Sequence, residues 1–252
     1  MQFRRLRHLP IIMMGVVLTS ACDDDPVGLE GFGTVVIQFD NVVAGAAVAM
    51  NTGNYTNAAG NDYTISKLEY TLSNFLLSGI DGNFELVTTH YRDQDDATTA
   101  TLTLTDVPAG EYDGLDFLWG VPAASNMAGS YPDLDANGMA WPMMMGGGYH
   151  YMRHEGAFTP TGGGTANFTT HLGPTMGNDF TFPVMLDLPS AIRLNGGETA
   201  TIVVNMDANE WYTGSTTYDF NDYGLIMGNM GAQMALQANG VSVFSAASAT
   251  VN

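Results

Sequence analysis

The sequence predicts an all-β fold, an antiparallel sandwich or barrel with long loops and one short helix near the C-terminus. Three observations carry this reading: eight short segments rich in β-branched and aromatic residues, turn-forming clusters between them, and one capped helical stretch late in the chain. In order, the strand segments are residues 34–39, 84–90, 99–104, 112–119, 166–171, 180–188, 201–206 and 241–244. Between them, Asp81, Gly82 and Asn83, then Pro108, Ala109 and Gly110, and later Gly162 to Gly164 and Asn195 to Gly197, supply residues suited to tight turns. For the helix, Asn229 is the expected N-cap, Met230, Met234 and Leu236 continue it, and Asn239 with Gly240 ends it. Residues 122–148 form a long irregular segment rich in Gly, Asn, Asp and Met. A loop of that length in a compact domain is usually functional or disordered, and Trp141 with Met143, Met144 and Met145 speaks against simple disorder.

The N-terminus reads as a lipoprotein-type export signal over residues 1–21. Arg4, Arg5 and Arg7 give the positive start, and residues 9–18 an apolar stretch too short for a comfortable membrane span. Leu18, Thr19, Ser20 and Ala21 before Cys22 resemble a bacterial lipobox, with Thr19 where Leu is usual. Cys22 is the single cysteine, and a lipid anchor accounts for an unpaired thiol in an exported chain. Residues 22–31 then form an acidic tether, opened by Asp23, Asp24 and Asp25, and residues 32–252 one domain. The expected location is the periplasm or cell surface, held to a bacterial membrane through Cys22. An outer-membrane anchor is one expectation, although Asp23 would favour the inner membrane if enterobacterial sorting applied.

Beyond the signal, the chain keeps 26 carboxylates against only Lys67, Arg92, Arg153 and Arg193, a formal charge of −22. Nucleic acid is excluded as a partner, because its binding needs clustered Lys and Arg to displace counterions; cations and basic partners are attracted. With no second cysteine, stability rests on the core rather than on a disulfide. The sequence shows neither a nucleophile elbow nor a phosphate loop, so it does not read as an enzyme.

Soft-metal donors concentrate between Gly138 and Gly173. Of four histidines beyond the signal, His150, His154 and His171 lie here, with Met152 between the first two. Read as a strand, residues 149–158 put His150, Met152 and His154 on one face and Tyr149, Tyr151 and Arg153 on the other. A hairpin across Gly162 to Gly164 would bring in His171. Imidazole suits copper, zinc or nickel, and thioether sulfur favours Cu(I), so copper is the expected ion. Of Met143 to Met145 at most one or two can reach a metal, the alternative being an apolar plug. His90 is a weaker fourth candidate. Asp133, Asp135, Asn137 and Gly138 resemble half a calcium loop, but the twelfth position is Met144 rather than Glu, which excludes an EF-hand. A looser Ca²⁺ site there, or at Asp93, Asp95 and Asp96, stands against a simple turn-forming role.

A family resemblance rests on collinear residues. Ala109, Gly110, Glu111 and Tyr112 lead to Leu115, Asp116 and Phe117, then Trp119, Gly120 and Val121. Leu134 and Asp135, Gly138 to Trp141, Gly148 and Tyr149, Glu155 and Gly156, and His171, Leu172 and Gly173 follow. Residues 63–70 upstream, and Met206, Asp207, Trp211 and Val243 to Ser245 downstream, complete it. In this order and spacing the chain resembles the MbnP-like copper-binding proteins. The resemblance implies an exported, immunoglobulin-like β-sandwich holding one copper through histidines. It implies His171 as a ligand and Trp141 as the tryptophan that a di-haem partner of the cytochrome c peroxidase type would convert to kynurenine. Many members carry a second Trp where this chain has Met143, so a Met/His site is the rival to a kynurenine-linked one. The expected role is copper acquisition, storage or delivery within copper homeostasis. The alternative is a surface adhesion or assembly module binding a glycan, calcium or a protein, with incidental histidines. The two separate on whether His150, His154 and His171 converge.

Overall fold

Alternating burial in the strands builds two sheets around one aromatic-rich core. The computed structural model describes residues 29–252; the expected signal, the Cys22 anchor and most of the tether lie outside those residues. The strands are β1 (Phe32–Val43), β2 (Ala46–Ala47), β3 (Tyr55–Thr56), β4 (Asp62–Ser78), β5 (Phe84–Asp93), β6 (Thr101–Pro108) and β7 (Gly110–Trp119). After the long loop come β8 (Met152–Phe158), β9 (Ala166–Leu172), β10 (Phe182–Leu194), β11 (Thr199–Asp207) and β12 (Phe244–Val251). The helices are α1 (Pro132–Ala136), within the loop, and α2 (Met230–Asn239). The Asn229 side chain caps α2 by accepting from the Ala232 amide, as its sequence predicts.

One sheet runs β12-β11-β1-β2, with β6 also on β1; the other runs β10-β7-β4-β8-β9, with β3 and β5 also on β4. The first contributes Val35, Ile37 and Phe39 from β1 and Ile202, Val204 and Met206 from β11 to the core, every second residue in each case. The pairing departs from a wholly antiparallel sandwich at one place, where β1 and β11 run parallel. Trp119 and Trp211, expected as core aromatics, are buried with ring centroids 4.6 Å apart.

The longest strand, β4, positions the site. On one edge it takes β5; on the other, β8 pairs along Tyr63 to Tyr70 and β7 along Leu72 to Ser78. At the junction the Thr71 carbonyl accepts from the Gly120 amide, and the Thr71 amide donates to the Tyr151 carbonyl. Two strands therefore meet end to end on one neighbour, and the chain that enters β8 must turn away from β7. The β8–β9 hairpin forms as expected, with Arg153 opposite His171 and His154 opposite Thr170.

Candidate metal centre

The long loop returns to the sheet through Gly146, Gly147 and Gly148, whose φ angles of +122°, +71° and +91° exclude ordinary side chains. Behind that turn, the Trp141 amide donates to the Gly148 carbonyl and the His150 amide to the Met139 carbonyl, both at 2.7 Å. The tyrosines flanking His150 pin the loop. The Tyr149 hydroxyl accepts from the Gly129 and Tyr131 amides and donates to Asp135, and the Tyr151 hydroxyl bonds Asn126 and Asp179. Arg153 adds a strap by donating to the Asn137 carbonyl while paired with Glu69.

A bend at Tyr151 breaks the alternation expected along residues 149–158. His150 therefore leaves the face of Met152 and His154 and lies against His171, their ring centroids 5.2 Å apart. Trp141 packs edge-on against His150 at 4.8 Å. It is buried, its indole N–H has no partner, and its ring lies over Gly173, where a Cβ would come within 2.5 Å of it. The Gly of the His171-Leu172-Gly173 stretch is thus the seat of the tryptophan.

Both imidazoles are held by an acceptor on one nitrogen. His150 Nδ1 lies 3.1 Å from the Met139 carbonyl, and His171 Nε2 lies 2.8 Å from Glu155 Oε1. Donation through these N–H groups fixes each tautomer and leaves His150 Nε2 and His171 Nδ1 with free lone pairs, the arrangement usual for metal-bound imidazole. Burial, reinforced by neighbouring His171, lowers the His150 pKa to about 4. Burial also lowers that of His171, against the opposing pull of Glu155. Both rings are therefore neutral at neutral pH and need not shed a proton to bind a cation. Gln233, buried on α2, clamps this segment by donating to the His171 carbonyl and accepting from the Gly173 amide.

The structure does not bring the expected three histidines together. His154 pairs with Thr170, whose side chain points opposite to that of His171, and it is fully buried in the sandwich. Its Nδ1 lies 2.8 Å from the Tyr212 hydroxyl, its Nε2 is sealed without a partner, and burial pushes its pKa down to about 3. Met152, opposite Leu172, is likewise a core residue. Both belong to the inward face of β8, and the bend separates them from His150. His90 is buried against Phe39 on β5. Among the described residues, no group of three His, Cys, Asp or Glu side chains gathers at one point. The candidate calcium loops instead serve turns: Asp93 and Asp96 accept from the amides of Asp95 and Thr98, and Asp135 is engaged by Tyr149.

Sulfur also lies near His171. His171 borders an open cavity of about 500 Å³ with Met145, Thr169, Leu225, Ile226, Met227 and Gly228. Met227 carried no sequence signal, because it lies 56 residues beyond His171 in an aperiodic segment. Gln233 could have been noticed as an amide on the buried face of the helix. Met143 and Met144 are 79 % and 96 % exposed, so they do not plug the sandwich.

The MbnP family model matches residues 32–230. Among solved structures, the chain is similar to MbnP from Methylosinus trichosporium, with 18% identity, 85% of this chain and 99% of that chain covered, and a TM-score of 0.54. At that identity the likeness shows the fold. No curated protein matches the chain.

Proposed function

Since the chain belongs to the MbnP family, we propose that it is an exported copper-binding protein, lipid-anchored through Cys22, that serves copper acquisition, storage or delivery. The observation carrying this reading is the pair His150 and His171, two neutral imidazoles face to edge at 5.2 Å, each with one nitrogen committed to an acceptor. Two imidazoles suit copper, whereas a structural zinc site would ask for four N, S or O ligands. His150 and His171 would hold the ion, Glu155 and the Met139 carbonyl would orient them, and Trp141 would wall the site. Copper would supply a cation to be carried, and a binding role rather than catalysis suits a centre without a reacting nucleophile.

His154 diverges from the other two, which counts against the full three-histidine set and toward the adhesion alternative. The contact kept between His150 and His171 is what supports the metal reading. Trp141, packed edge-on against His150, is the tryptophan that adjoins the histidine pair and so the one best placed for oxidation by a di-haem partner.

The test is Cu(I) and Cu(II) titration of the purified protein with intact-mass measurement on the same sample. About one tight copper per chain is expected, lost in a His150→Ala/His171→Ala double variant and kept in His154→Phe. A mass gain located at Trp141 would support the modification. Copper binding that survives the double variant, or a folded protein that binds none after co-expression with a di-haem partner, would sink the reading.

A further inference from the structure

We propose that Met145, Met176 and Met227 form a second, thioether-only site for a soft monovalent ion such as Cu(I), on the rim of the His171 cavity. Met145 and Met227 both line that cavity. Two hydrogen bonds bring Met176 to them: its amide donates to the Met145 carbonyl at 2.9 Å, and the hydroxyl of adjoining Thr175 donates to the Met227 carbonyl at 3.0 Å. Three chain segments far apart in sequence thus meet here, each carrying one methionine.

Exposed methionines adjoin these segments. Met176 is 66 % exposed, and Met143 and Met144 stand out from the turn that carries Met145. Methionine is ordinarily a core residue. Met145 and Met227 are half-buried on the cavity wall, and the exposed methionines next to these segments contribute nothing to the core. Thioethers bind soft monovalent ions and discriminate against Mg²⁺, Ca²⁺ and other hard cations. Unlike imidazole, they carry no proton to compete with the metal, so the site works at any pH at which the fold survives. Met176 has φ +54°, a left-handed backbone uncommon for a non-glycine residue, which marks this turn as held by its surroundings. The site stands independently of the imidazole pair, which favours Cu(II) as readily as Cu(I).

Silver(I) is the probe, being soft, monovalent and free of redox change. The protein is labelled with [methyl-¹³C]methionine and titrated, alone and as the His150→Ala/His171→Ala variant. The expected result is that the first equivalent of Ag(I) shifts the methyl signals of Met145, Met176 and Met227 in both proteins. Met145→Leu/Met176→Leu/Met227→Leu, which keeps the apolar bulk, should lose affinity about tenfold or more while Cu(II) binding persists. Circular dichroism of that variant confirms its fold. The proposal is overturned if these three methyls shift no more than that of exposed Met234, or if their response disappears with the histidines. Loss of Cu(II) binding alone in the histidine variant bears on the imidazole centre and leaves the thioether result standing.

Discussion

Replacing His154 with Phe separates a buried core histidine from a metal ligand. In the folded protein the ring is sealed and its pKa lies at about 3, because burial penalises the charged form; in the unfolded chain it returns to its ordinary value near 6.5. Between those values the unfolded state takes up a proton that the folded state refuses, so stability falls as pH drops through the window and is fully retained above about 6.5. Each pH unit costs about 1.36 kcal/mol per proton, and the unfolded ring is only half protonated at pH 6.5, so His154 accounts for ~2 kcal/mol between pH 6.5 and 4.5, a range above most carboxylate titration. His154→Phe should remove about one proton from the pH slope of unfolding. At pH 7.5 the change should stay within about 1 kcal/mol, because the lost bond to Tyr212 is offset by removing the unpartnered Nε2. Tyr212 also keeps Thr170 as a partner at 3.2 Å. Guanidinium unfolding of metal-free protein at several pH values, followed by tryptophan fluorescence, measures the slope. Copper stoichiometry at pH 7 should be unchanged. An unaltered slope would refute the burial argument, and loss of copper would return His154 to the ligand set.

Two further variants probe the geometry around the pair. Gly173→Ala places a methyl group against the Trp141 ring and should cost about 2 kcal/mol through overpacking. Thermal unfolding reads that cost, and the position and quenching of tryptophan emission should move with it. Glu155→Gln keeps the size of the side chain but weakens the acceptor that holds the His171 N–H. It should lower copper affinity by roughly tenfold with little change in melting temperature. An unchanged affinity would mean that Glu155 does not orient the ring.

Where period-two burial persists, the sequence was easy to read: β1 and β11 alternate almost without fault, and Asn229 marked the start of α2. β4 carries the heart of the second sheet and escaped the strand count. Its middle is buried on both faces, and a bulge at Asn74, with φ +52°, interrupts its period. Residues 241–244 read as a strand, yet Gly240–Ser242 is a helical turn and β12 begins only at Phe244. A short apolar run cannot decide between these by periodicity, and the Ala- and Ser-rich remainder of β12 gives little β signal. The parallel pairing of β1 with β11 depends on residues more than 160 positions apart and has no local signature. In the site, Trp141, His150 and His171 were legible as residue types. The partition of the histidines was not, because it rests on the bend at Tyr151.

That bend follows from the sheet rather than from its own residues. β7 already occupies the edge of β4 beyond Thr71, so the chain before β8 cannot continue straight and still pair. Gly120, at φ +89°, lets the end of β7 pass close to the Tyr151 ring, where a Cβ would come within 2.8 Å. The chain therefore turns at Tyr151 and His150 changes sides, while His154, three residues inside the regular ladder, stays in the core. Two histidines four positions apart take opposite fates: one is a ring with a free lone pair packed against His171, the other a neutral ring sealed in the core. The clamps from α2 and Glu155 then fix His171 opposite His150. The centre is thus assembled by a strand junction, whose Thr71 and Gly120 lie far from it in sequence, and by an equally distant helix, and loosening either would separate the two imidazoles without touching them.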